Sequence, residues 1–176
     1  IESCSNPSGY IFNFELIKTL KKDNKNIIII VDNTWLSGAI FNPFQFEVDF
    51  VVVSLTKYYG AGSSIGGAIL GRPDNNLMDE TKKWMCVMGS HISPYNCFLI
   101  YQNILSLHSR IQSFYILTLQ AAEFLQGHGI PTTFVGLPTH SSHQRMIQFF
   151  QGHGPSVLTF IVNKSKTQTV SWLKQE

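Results

Sequence analysis

Asp49-Phe50-Val51-Val52-Val53-Ser54-Leu55-Thr56-Lys57 (residues 49–57) governs the reading of the whole chain. An unbroken apolar run from Phe50 to Val53 is the pattern of a short strand covered on both faces of a parallel sheet. Ile27-Ile28-Ile29-Ile30-Val31 has the same texture one segment earlier and ends on Asp32. Two such strands predict an open α/β sheet, in which ligands gather along the carboxyl edge. Further on, Ile65 to Leu70 is a third apolar run. Thr56 to Ser64 is too short for a helical crossover, so this third strand is expected to return antiparallel.

The flanks fill in the architecture. Pro7-Ser8-Gly9 is turn chemistry, and Phe12, Leu16, Ile17 and Leu20 follow at helical spacing. A helix is expected over about Asn75 to Met88. From Pro94 to Gly127 one long pattern runs through Ile100, Ile104, Leu107, Ile111 and Tyr115, closing at Gly127-His128-Gly129. Trp84, Phe114 and Tyr115 read as packing residues. Beyond Pro131 the texture changes to short β-like runs, Thr132 to Val135 and Val157 to Val162, around a helical stretch near Gln144. The expected units are therefore residues 1–127 and 128–176. Glu2-Ser3-Cys4-Ser5-Asn6-Pro7 reads as the middle of a loop, so a fragment of a longer protein is expected.

Composition narrows the function classes. With 44% hydrophobic and 14% charged residues the chain suits a folded domain and not a disordered tail. Its net charge is +2, and Lys21, Lys22 and Lys25 form the only local basic cluster, expected on a solvated helix end. No nucleic-acid or membrane partner is expected from so weak a field. The longest aliphatic run, Ile27 to Val31, is far too short to span a bilayer. Cys4, Cys86 and Cys97 include no Cys-x-x-Cys pair and read as reduced thiols of a cytoplasmic protein.

Asp32 and Lys57 both follow buried strands, and together they meet one chemical demand. Pyridoxal phosphate (PLP) needs an amine to form an imine, and a carboxylate that keeps its pyridine nitrogen protonated. Ser54 and Thr56 place hydroxyl groups beside the lysine, as a phosphate requires.

Five segments then resemble, in order, the Cys/Met-metabolism PLP enzymes, which include cystathionine γ-synthases, cystathionine γ- and β-lyases, methionine γ-lyases and O-acylhomoserine sulfhydrylases. Glu2-Ser3-Cys4-Ser5-Asn6-Pro7 resembles the family's Glu-x-Pro-x-Asn-Pro loop, with Cys4 in place of proline. Val31-Asp32-Asn33-Thr34 and Ser54-Leu55-Thr56-Lys57-Tyr58 look like its two signature segments. Ser93-Pro94-Tyr95-Asn96 is similar to its Ser-Pro-Phe-Asp turn, and Gly136-Leu137-Pro138-Thr139-His140 to His143 to the segment opening its C-terminal domain.

The resemblance implies a fold type I PLP-dependent transferase-like α/β domain: a mostly parallel sheet flanked by helices, with a long connecting helix and the start of a small α/β C-terminal domain. It implies Lys57 as the catalytic residue, holding PLP as an imine and shuttling protons once substrate displaces it. Asp32 would pair with the pyridine nitrogen, Asn6 with the ring's O3′ oxygen, and Ser54 and Thr56 with the phosphate. The implied activity is β- or γ-elimination or replacement at C–S or C–O bonds of sulfur amino acids or O-acylhomoserine. The implied assembly is a homo-oligomer, a dimer of dimers, in full-length form. Ala61-Gly62-Ser63-Ser64 departs from the family's Gly-His-Ser/Asn-Asp pattern. No segment matches the family's Gly-rich phosphate loop, ring-stacking Tyr or substrate-carboxylate Arg. A second reading is therefore a truncated or degenerate PLP-binding fragment without activity of its own.

Other motifs weigh less. Gly62-Ser63-Ser64-Ile65-Gly66 fits the Gly-x-Ser-x-Gly elbow of hydrolases, but that elbow needs a strand immediately before the serine and a helix after it. Gly60-Ala61-Gly62 begins like a dinucleotide fingerprint but has Ile65 where a glycine is required. His140 and His143 stand at metal-capable spacing without a carboxylate or cysteine partner, so no metal site is expected.

Overall fold

A computed structural model describes residues 1–173. The chain runs α1 (Leu16–Asp23), β1 (Ile30–Asp32), α2 (Ser37–Ile40), β2 (Phe50–Ser54), β3 (Gly67–Gly71), α3 (Leu77–Val87), α4 (Pro94–Ile104), α5 (Leu107–Gly127), β4 (Thr132–Thr133), α6 (His143–Phe150), β5 (Thr159–Phe160) and α7 (Lys166–Leu173). β1 pairs parallel with β2, and β2 pairs antiparallel with β3, Ser54 opposite Gly67, as the short connection requires. β4 and β5 form a separate antiparallel pair.

One face of the three-stranded sheet carries Ile29, Val31, Val51 and Val53, all buried, into the core. Phe14 is wholly buried there, its ring against Phe12, Phe41, Phe46 and Phe149. α6 adds Met146 and Phe150 to the same core, and the segment between β4 and α6 adds Phe134, Val135 and Leu137. Lys21 is not solvated at its helix end: its ammonium pairs with Asp49 and donates to the Ile27 carbonyl. The Asp49 carboxylate also accepts from Ile29 N–H, which fixes where β1 enters the sheet.

Three expectations change. The run Ile27–Val31 is covered on one face only, since Ile28 and Ile30 are 50% and 47% exposed. On their side of the sheet a cavity of about 430 Å³ remains among Ile28, Ile30, Phe50, Leu77, Trp84 and Met88. An unbroken apolar run states that both faces are suited to burial, not that both are covered. Second, the pattern from Pro94 to Gly127 is two helices, broken at Leu105 and Ser106. Leu105 keeps helical backbone angles and only Ser106 departs, at φ −102° and ψ 4°, so the apolar phase passes through the break and the sequence pattern does not register it. Third, Tyr115 is buried as expected, but Trp84 is 63% and Phe114 39% exposed. Neighbours on a helix point about 100° apart, so Phe114 and Tyr115 do not share a face.

No helix of the described residues is long and apolar enough to cross a membrane.

Candidate cofactor site

The parallel register brings the ends of β1 and β2 to one edge, with Asp32 beside Val52. Short-range bonds then orient the groups. Thr34 N–H donates to Asp32 Oδ1 at 2.9 Å, and Ser54 N–H donates to Thr34 Oγ1 at 2.8 Å. Thr34 thus ties the two strand ends together. The N-terminal segment lies along the outer side of β1: Asp32 N–H donates to Ile1 O at 2.8 Å and Ser3 N–H to Asp32 O at 2.9 Å. It then loops back on itself, Cys4 opposite Ile11, with Asn6 near the tip.

That loop is held from the far end of the chain. His140 Nδ1 accepts from Ser142 N–H at 3.0 Å, which leaves Nε2 to donate to Ser8 O at 2.8 Å. Ser142 Oγ accepts from Ile11 N–H at 3.1 Å, and Arg145 donates to Ile11 O at 2.9 Å. His143 Nδ1 lies 3.0 Å from Val135 O. Each histidine commits a ring nitrogen to a backbone carbonyl, and among the described residues no group of His, Cys, Asp and Glu is arranged to hold a metal ion.

A cavity of about 300 Å³ opens at this edge, lined by Glu2, Cys4, Asn6, Asp32, Thr34, Trp35, Ser54 and Lys57. It sits at the lower end of ligand-pocket volumes. A larger space of about 760 Å³ shares Asp32, Thr34 and Ser54 and extends past Gly66 and Ile69 to His91 and Asn96. Asn6, Asp32, Ser54 and Lys57, singled out in the sequence, therefore face one cavity. Thr56 is outside its lining. The Thr56 hydroxyl accepts from Gly66 N–H at 3.1 Å and lies 3.4 Å from Gly66 O, closing the loop after the lysine.

The sequence reading missed Trp35 and Thr34 as cavity residues. Thr34 stands inside the quoted Val-Asp-Asn-Thr segment, where a hydroxyl two residues past a strand-end carboxylate is a signal for such a tie. Trp35 carries no such signal, because only the tertiary fold sets its ring edge-on to Tyr58, 6.1 Å between centroids.

Lys57 is exposed and belongs to none of the ion pairs among the described residues, which are Lys21–Asp49, Lys82–Asp79 and Lys83–Glu80. Gly60 then lets the chain close tightly: a Cβ there would fall 2.7 Å from Leu55 O. The hydrolase elbow is excluded by its surroundings, since a strand follows Ser64 and its buried hydroxyl has no hydrogen-bond partner among the described residues. The dinucleotide fingerprint fails for the same reason, with β3 where its helix belongs.

Cys4 is 2% exposed, and burial, reinforced by the Glu2 carboxylate, pushes its thiol up to about 12. Cys86 and Cys97 are exposed. The thiolate is the reactive form. Iodoacetamide at pH 8 is therefore expected to alkylate Cys86 and Cys97 in the folded chain, and Cys4 only after unfolding in urea. Equal labelling of Cys4 in the native chain, read by peptide mass spectrometry, contradicts its placement.

A family model described as Cys/Met metabolism PLP-dependent enzyme matches residues 1–175. The chain belongs to this family. It is 29% identical to a cystathionine beta-lyase of Schizosaccharomyces pombe over 95% of its own length and 44% of that protein's. Among solved structures it is similar to cystathionine gamma synthase from Xanthomonas oryzae in complex with aminoacrylate and cysteine. The TM-score is 0.89 at 28% identity, over 98% of this chain and 44% of the other. A Campylobacter jejuni protein, described as an O-acetylhomoserine (thiol)-lyase and carrying a pyridoxyl-lysine, gives a TM-score of 0.84 at 26% identity, over 91% and 48%. The chain spans less than half the length of these family members.

The donor set fits the family's cofactor. An amine, a carboxylate, a carboxamide and a hydroxyl share one cavity, which answers the aldehyde, ring nitrogen, phenolic oxygen and phosphate of PLP. The lining includes no arginine among the described residues, so this cavity offers a phosphate no guanidinium.

Proposed function

We propose that this chain supplies the cofactor-anchoring part of a PLP-dependent enzyme acting at C–S or C–O bonds of sulfur amino acids or O-acylhomoserine, by β- or γ-elimination or replacement. The observation that carries it is the convergence of Lys57 and Asp32 on one cavity in a chain of this family. When bound, PLP supplies an electron sink for charge developing on the substrate's Cα.

The chain's own residues divide the remaining work. Lys57 anchors the cofactor and, when released, moves protons at the substrate's Cα. Asp32, its Oδ1 fixed by Thr34 N–H, presents a carboxylate to the ring nitrogen and keeps it protonated. Asn6 holds the phenolic oxygen, Ser54 and the loop closed by Thr56 receive the phosphate, and Trp35 walls the cavity. Residues 1–127 belong to the cofactor-binding unit and 128–176 begin a second one, whose His140 and Arg145 hold the Asn6 loop in place. Assembly into a homo-oligomer and a cytoplasmic location complete this reading.

The test is release of an α-keto acid and ammonia from L-cystathionine, or of a new thioether from O-succinylhomoserine plus cysteine, with PLP present. The expected result is turnover that is lost in Lys57→Ala. A chain that binds PLP at Lys57 and turns over neither substrate supports instead the second reading, a PLP-binding fragment without activity of its own, which the short span against its relatives favours. Absence of PLP at Lys57 overturns both.

A further inference from the structure

Lys57 sits in a tight turn, Leu55–Tyr59, and its own φ of −81° and ψ of −113° depart from helical geometry. One backbone bond closes the turn across it, Gly60 N–H donating to Leu55 O at 2.7 Å, and side chains grip the chain on either side. On the N-terminal side the Thr56 hydroxyl grips Gly66. On the C-terminal side the grip comes from α5: Arg110 Nη2 donates to Tyr58 O at 2.9 Å. The same nitrogen donates to Asn103 O at 2.9 Å, and Arg110 Nε donates to Ser106 Oγ at 2.9 Å. All three acceptors are neutral oxygens, and Arg110 joins no ion pair among the described residues.

We propose that Arg110 is a positioning residue for Lys57, its guanidinium tying the α4–α5 junction to the Tyr58–Tyr59 peptide in the turn that carries the cofactor lysine. This rests on the reading of Lys57 as that lysine. A guanidinium suits the task because its planar fork reaches acceptors on two sides with fixed geometry, which a single ammonium does not. The break between α4 and α5 places the Asn103 carbonyl, which shares Nη2 with Tyr58 O, beside the half-buried Arg110. Tyr58 O lies on the peptide that joins Tyr58 to Tyr59, so Arg110 fixes the C-terminal arm of the turn from which the lysine projects. The Tyr58 ring is fixed independently, its hydroxyl 2.7 Å from Ser156 Oγ and its edge against Trp35 of the cavity wall.

The test compares wild type, Arg110→Lys and Ser106→Ala after incubation with PLP. Arg110→Lys keeps charge and stem but loses the fork. Ser106→Ala removes the Nε contact and leaves Nη2 on both Asn103 O and Tyr58 O. Two quantities are read at matched folded fraction by far-UV circular dichroism. One is borohydride-fixed pyridoxyl at Lys57 relative to the exposed Lys18, by peptide mapping, and the other is the induced circular dichroism of the bound chromophore in the visible. Arg110→Lys is expected to lower the Lys57 yield about tenfold, the scale of one charge-assisted hydrogen bond, and to flatten the visible signal. Ser106→Ala is expected to keep both within about twofold. An Arg110→Lys chain with wild-type yield and signal overturns the proposal, as does a Ser106→Ala chain that loses as much as Arg110→Lys. A wild-type chain with no preference for Lys57 over Lys18 overturns the assignment of the cofactor lysine, and this proposal with it. Wild-type preference for Lys57 retained undiminished in every variant overturns the role of Arg110 alone.

Discussion

Lys57→Ala is expected to reduce the PLP-derived visible band of this chain to the background of exposed lysines such as Lys18, and to remove the pyridoxyl group that borohydride fixes on the peptide containing residue 57. The effect in the cavity is all-or-none because imine formation needs a primary amine within bonding distance of the aldehyde, and no other side chain lining the cavity carries one. Glu2, Asp32, Asn6 and Ser54 around it are acceptors and donors without nucleophilic nitrogen suited to that step. Lys57 also enters no ion pair among the described residues that would compete for its amine. Absorbance before and after reduction, followed by peptide mapping, reads the outcome. A band that persists above that background in Lys57→Ala, with the adduct mapped to a different lysine, sinks the assignment.

Phe14→Ala carries the largest expected loss of stability. Phe14 is fully buried, and its ring centroid lies 4.6 Å from Phe41, 5.3 Å from Phe46, 5.6 Å from Phe12 and 5.8 Å from Phe149. Removing a buried phenyl group forfeits its transfer free energy and leaves a cavity, about 3–5 kcal/mol together. Edge-on aromatic pairs add to the loss within that range. Total stabilities of domains are about 5–15 kcal/mol, so the variant is expected near the unfolding threshold at 25 °C. Urea titration followed by far-UV circular dichroism measures it. The damage should extend to the site, because Phe149 belongs to α6 and the start of α6 holds the Asn6 loop through Ser142 and Arg145. A loss below about 1 kcal/mol would mean that Phe14 is not in the core described here.

Legibility in the sequence followed the range of the interaction. The strand pair was readable because Ile27–Val31 and Phe50–Val53 are local apolar runs, and the antiparallel return of β3 because its connection is too short for anything else. Asp32 and Lys57 were readable as strand-end residues, and the parallel register then brings them to one cavity. The hold of His140 on Ser8 was not readable as geometry, since those residues lie 132 positions apart and meet only when α6 docks on the phenylalanine core. The Thr56 hydroxyl was read by its chemical type, whereas its partner Gly66 is chosen by loop closure. The break at Ser106 was hidden because it preserves the apolar phase on which helix reading depends.

Asp32 and Lys57 as residues that follow apolar strands, the parallel strands themselves and the family were thus determined by the sequence alone, since each is written in short runs or in the kind of side chain present. Tertiary structure alone decided that Ile28 and Ile30 face open space, that Trp35 walls the cavity, and that Arg110 grips the turn after the lysine. The reason is physical. Backbone periodicity and side-chain chemistry are local properties of the chain, whereas coverage of a face and the partner of a hydrogen bond are set by which distant elements pack together.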